Sequence, residues 1–82
     1  MAGRMQGMWD DVIARVREEI PEVEFRTWFT QVTPHGIVDG SFVLAVPHTF
    51  ARDWLRSNYT DVIEGALQAL GMDSPRVTFQ VV

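Results

Sequence analysis

Residues 37–59, IVDGSFVLAVPHTFARDWLRSNY, decide how this chain folds. Asp39-Gly40 separates two β-rich runs, and an Asp-Gly step between apolar residues is the strongest short hairpin signal. After it, Phe42, Leu44 and Val46 alternate with Val43 and Ala45, as a strand requires. Pro47 closes that strand. A helix is expected from near Thr49 to about Leu70. Leu55, Tyr59, Val62, Ala66 and Leu70 recur there at helical spacing, with Ile63 and Leu67 widening the stripe. Thr49 has the chemistry of its N-cap. Gly71 has the position of a C-cap glycine, and Pro75 follows as a stop.

On the N-terminal side, Trp9, Val12, Ile13, Val16 and Ile20 fall on one stripe, so a first helix is expected to start at Met8. Asp10 and Asp11 would lie in its first turn, where the helix dipole favours anions. Pro21 ends it and suits the start of a second helix, PEVEFRTWFTQV, with Phe25, Trp28, Phe29 and Val32 on one face. Pro34 ends that one. Residues 1–7 carry no pattern and read as a flexible N-terminus, and residues 8–82 as a single domain. At the other end, RVTFQVV is a strand with Val77, Phe79 and Val81 on one face. The order is α-α-β-β-α-β, an α+β chain. The last strand should lie parallel to the second, because a helix connects them. The expectation is a three-stranded mixed sheet packed against helices.

Composition narrows the function classes. The chain has 82 residues, 46% hydrophobic and 11% aromatic, enough for one small core and too apolar for disorder. It has no cysteine, so disulfides and thiolate metal sites are excluded. MAGRMQGMWDD has no apolar signal-peptide core, and no run approaches the ~20 apolar residues of a membrane span. A soluble, cytoplasmic protein is expected. Its net charge is −4, with seven arginines and no lysine. Duplex DNA binding needs several cations to neutralise phosphates, so this balance favours protein partners.

No motif for chemistry is present. There is no Walker loop, no dinucleotide fingerprint and no nucleophile elbow. His35 and His48 have no second His or Cys near them in sequence, and both read as exposed loop residues. Asp10/Asp11 and Glu18/Glu19 are acid pairs on helix ends and read as solvated charge, because paired catalytic acids need a pocket that raises one pKa. No enzyme activity, metal or cofactor is expected. A three-stranded α/β domain also suggests a KH module, but the G-x-x-G loop that clamps RNA is missing. Weak single-strand contact through Arg52 and Arg56 is the nucleic-acid alternative. Salt separates it from apolar association, since phosphate-dominated binding collapses as salt rises.

MWDDVIARVREEIP, EFRTWF, DGSFVLAVPHTFARDWLRSNY and VTFQVV together resemble the N-terminal domain (domain I) family of bacterial replication initiators, DnaA. The match covers residues 8–82 in the family's order, and EFRTWF with the L-x-V-P-x-x-F-x-x-D-W run is specific in combination. The resemblance implies a KH-like fold without the RNA-gripping loop and without catalysis. It implies an interaction hub that self-associates, helps recruit the replicative helicase DnaB and receives species-specific regulators. It places self-association on Trp9, and helicase or regulator contact on Glu24 and Phe50. The family often has an Asn where His48 stands. The chain stops just after its last strand, as an excised domain or a standalone regulator mimicking the initiator would.

Each of these residues also has a plain structural reading. Phe50 lies about 100° from the centre of its helix's apolar stripe, so it either packs on Trp54 or covers the sheet end, or it docks a partner. Glu24 lies a quarter turn off its own stripe and by pattern alone is a solvated charge. Trp9 lies on the stripe, where core is the default. Phe25, Trp28, Phe29 and Trp54 are expected in the core.

Overall fold

The structure is a computed structural model that describes the backbone of residues 2–82 and the side chains of residues 6–82. Three helices and three strands follow in the order α1 (Ala2–Glu19), α2 (Glu22–Trp28), β1 (Thr33–Val38), β2 (Ser41–Val46), α3 (Thr49–Ala69) and β3 (Arg76–Val81). The chain is thus α+β, in the expected α-α-β-β-α-β order.

The hairpin forms where Asp39-Gly40 placed it. Both residues have positive φ, 50° and 80°, which is the type I′ geometry that suits strand twist. β2 is the central strand of the sheet, antiparallel to β1 and parallel to β3. The β1 register slips between Pro34, opposite Leu44, and Gly36, opposite Val43. His35 is the extra residue of this bulge.

The α3 helix ends in a Schellman motif. The Met72 N–H donates to the Leu67 carbonyl and the Gly71 N–H to the Gln68 carbonyl. Gly71 has φ 104°, a region that a side chain resists, so glycine is required there. Met72 then packs onto the core that Leu67 belongs to. The other end of α3 corrects an expectation. The N-cap is His48, not Thr49, and its Nδ1 accepts the Ala51 N–H at 3.2 Å. A neutral imidazole nitrogen supplies the same lone pair as the usual Asn or Ser oxygen.

Two helix boundaries also differ from the sequence expectation. The α1 helix starts at Ala2 rather than Met8. Ala, Arg, Met and Gln in this stretch are strong helix formers, and no proline stops them extending the apolar segment. Asp10 and Asp11 therefore lie in mid-helix and no acid occupies the first turn. Within the 1–7 segment read as flexible, Met1 lies outside the described residues. The α2 helix ends at Trp28, short of Val32. Thr27, Thr30 and Gln31 side chains donate back to the Val23, Arg26 and Thr27 carbonyls. Such bonds compete with the helix ladder, and Val32 and Thr33 are better suited to a strand.

The core lies between the helices and one face of the sheet. Phe42, Leu44 and Val46 of β2 meet Trp9, Val12 and Val16 of α1 and Leu55, Ile63 and Leu67 of α3. Phe25 and Phe29 stack at 5.6 Å and close the end occupied by α2. The Arg17 guanidinium lies 4.8 Å over the Phe25 ring. Among the described residues, no helix is long and apolar enough to cross a membrane.

Candidate protein-interaction surface

The first turns of α3 and the length of α2 together build an aromatic surface. The i, i+4 spacing of Phe50 and Trp54 puts their rings 6.5 Å apart on one side of α3. Trp28 reaches them from α2, stacked on Trp54 at 5.0 Å and 17° and tilted against Phe50 at 5.8 Å. His48, which caps the helix, stacks on the outer side of Phe50 at 6.5 Å. Phe50 and Trp54 are not core, and Trp28 sits at the core margin. Phe50 is 63% exposed and Trp54 40% exposed, while Trp28 is half-buried. The expectation that Trp54 is a core residue is corrected, while Trp28 packs against the margin of the core. Leu55 and Ala51 take the buried positions on α3, and Trp54 instead stacks on Trp28, which bridges it to the core.

Glu24 stands one turn before Trp28 on α2. Its Oε1 accepts a 2.6 Å hydrogen bond from the buried Tyr59 hydroxyl of α3. Burial pushes the Tyr59 hydroxyl above its ordinary 10.0, the Glu24 carboxylate adds to this, and a contact with the Trp54 side chain opposes it. Among the described residues, Glu24 makes no ion pair and its Oε2 accepts no hydrogen bond. The arrangement is an apolar ring cluster, with Phe50 tilted against both tryptophans, flanked by a carboxylate with one oxygen open among the described residues. Exposed aromatics beside a charge are the usual make-up of a binding hot spot.

The remaining candidates lie elsewhere or are already occupied. Trp9 is 3% exposed and packs on Phe42 at 6.1 Å, so in the single chain its indole offers no contact surface. Arg52 and Arg56 both reach the Asp53 carboxylate, at 3.0 and 3.4 Å. That acid offsets part of the charge a phosphate would need. His35 lies in the β1 bulge, and no group of three or more His, Asp or Glu among the described residues is placed to hold a metal ion. A groove of about 410 Å³ between α1 and α3, lined by Arg15, Asp61 and Gly65 among others, shares no residue with the aromatic surface.

The structure places Phe50 beside Trp54, as their spacing suggested, and adds two neighbours the sequence did not signal, Trp28 and Tyr59. The Phe50–Trp54 spacing was a usable signal for part of the cluster. Nothing in the sequence signalled that Trp28 would meet Trp54 across two helices, or that Tyr59 would reach Glu24.

The family model of the DnaA N-terminal domain matches residues 6–69. The chain is 47% identical over 76 residues to the chromosomal replication initiator protein DnaA of Deinococcus deserti, covering 93% of the chain and 17% of that protein. It is 46% identical over 77 residues to the protein of the same name from Thermus thermophilus, covering 94% of the chain and 18% of that relative. Against that of Deinococcus radiodurans, identity is 42% over 76 residues. The chain thus spans about a sixth of the length of these relatives.

Proposed function

Because the chain belongs to the DnaA N-terminal domain family, we propose that it is a non-enzymatic interaction domain of a bacterial replication initiator. It docks the replicative helicase DnaB, or a regulator competing for the same place, through Phe50 and Glu24, and it self-associates with other copies. The observation that carries this reading is the exposed stack of Phe50, Trp54 and Trp28 beside a carboxylate whose second oxygen is unspent. A chain of thin stability margin gains from burying such rings, so their exposure points outward, to a partner. Trp28 and Trp54 join the contact residues. Trp9 serves self-association by anchoring α1, not by touching the second copy itself.

The surface is small, and small interfaces of this kind are weak and transient. That suits an initiator, because several copies gathered at one origin supply avidity that no single contact needs. Capture of the cognate helicase tests the reading. With folding verified by circular dichroism, Phe50→Ala is expected to lower capture about tenfold or more, on the scale of a hot-spot truncation. Glu24→Ala is expected to lower it several-fold. Capture at wild-type level by both variants would remove this surface from the proposal.

A further inference from the structure

The two edges of the sheet are not alike. The outer edge of β1 is interrupted: Pro34 has no N–H to offer, and the bulge at His35 breaks the register. The outer edge of β3 has no proline and no bulge, and its register against β2 is continuous from Arg76 to Val81. Edge strands left regular and uncharged are templates for further pairing. β3 carries no acidic residue and one cation, Arg76, although the whole chain is at −4. The Glu64 carboxylate of α3 meets this edge only at Val77, so a second copy of this acidic chain approaches the Phe79–Val81 end with little repulsion from the strand itself.

The hydrogen bonds define which groups on that edge are unspent. The Val82 N–H donates to the Val46 carbonyl of β2. Backbone direction alternates along a strand, so the N–H and C=O groups of Thr78 and Gln80 also face β2, and those of Val77, Phe79 and Val81 face outward. The Val77 N–H is already taken, by Glu64 Oε2 of α3 at 3.1 Å. Only Phe79 and Val81 remain with both groups open.

We propose that Phe79 and Val81 pair antiparallel with the same residues of a second copy of this chain, about a two-fold axis through Gln80. In that register Phe79 exchanges N–H···O=C bonds with Val81 of the second copy, and Val81 with its Phe79. The outward groups of Phe79 and Val81 are all paired, the Val77–Glu64 bond is kept, and the Val77 carbonyl stays open to solvent. The faces match: Phe79 and Val81 share the core side of β3, so the cores of the two copies become continuous. On the opposite side, Thr78 comes to lie beside Val82, which is 75% exposed in the single chain. Gln80 meets its own copy directly, at the close spacing of a non-hydrogen-bonded pair. This proposal rests on the self-association part of the function above and supplies the surface that the buried Trp9 does not.

Sedimentation of the 82-residue chain over a range of concentrations, at fixed salt, tests it. The wild type is expected to gain mass with concentration. Val81→Pro removes an outward N–H and spares the β2 ladder, and it is expected to sediment as monomer. Gln80→Lys and Gln80→Glu each place like charges on the axis and are expected to weaken association roughly two- to fivefold. An equimolar mixture of the two is expected to restore it, because opposite charges then face each other. If wild type associates and folded Val81→Pro and Gln80→Lys associate equally well, the β3 edge is wrong and self-association uses another surface. If wild type keeps a monomer mass throughout, self-association itself falls, as it would if a different protein fills the edge. Should Val81→Pro fail to fold, the Gln80 charge swap decides alone.

Discussion

Tyr59 links stability to the candidate surface. Its hydroxyl is buried and donates a hydrogen bond to Glu24, so it ties α3 to α2 beside the aromatic rings. Tyr59→Phe is expected to lower stability by roughly 1 kcal/mol, at the low side for a bond to a charged group because Glu24 is in contact with water. The same variant should weaken helicase capture in a Glu24 background but not in a Glu24→Ala background, which a thermodynamic cycle reads directly. The pH dependence follows from the raised Tyr59 pKa. The folded state holds this proton more tightly than the unfolded state. The contribution is therefore complete below the ordinary 10.0 and is lost as pH rises through the raised value. Alkaline melts should show that loss in wild type and lack it in Tyr59→Phe. Trp9 behaves as its burial dictates: Trp9→Ala should cost about 3–5 kcal/mol in a urea titration, a core truncation rather than a surface change. A loss under 1 kcal/mol would contradict the packing against Phe42.

Two glycines of the α3 region give opposite forecasts. Gly65 lies in the helix interior, and a Cβ added there meets nothing within 4 Å. Gly65→Ala should stabilise by about 0.5–1 kcal/mol through helix propensity. Gly71, at φ 104° in the C-terminal cap, should lose roughly 1–2 kcal/mol as Ala. Thermal melts of the pair check both signs. Gly71 and the hairpin were legible in the sequence because their causes are local: one glycine at a helix end, one Asp-Gly step between two strands. The parallel placement of β3 was also legible, since a helix-length connection forces it. Helix boundaries were less so. Side-chain bonds from Thr27, Thr30 and Gln31 shorten α2, and the N-terminal residues extend α1 by propensity where no apolar stripe advertises it. Core membership of Trp54 was misread for a related reason. Helical spacing says which residues share a face, and only the packing of α2 on α3 says how far that face reaches into the core.

At the scale of the whole molecule, an acidic chain with a small core turns one aromatic cluster and one regular strand edge outward. The chain belongs to the DnaA N-terminal domain family and corresponds to about a sixth of the length of the initiators it matches. The candidate site comes from two helices distant in sequence, so spacing paired Phe50 with Trp54 but left its role open, and the family resemblance alone pointed to a contact there. The most direct measurement follows the chain's backbone amide resonances as the cognate helicase is added. Broadening is expected first at Glu24–Trp28 and Phe50–Trp54, with the α1 and Gly65 side of the fold spared. Broadening centred on α1 and Gly65 instead, with the aromatic surface unchanged, would contradict the proposed docking site.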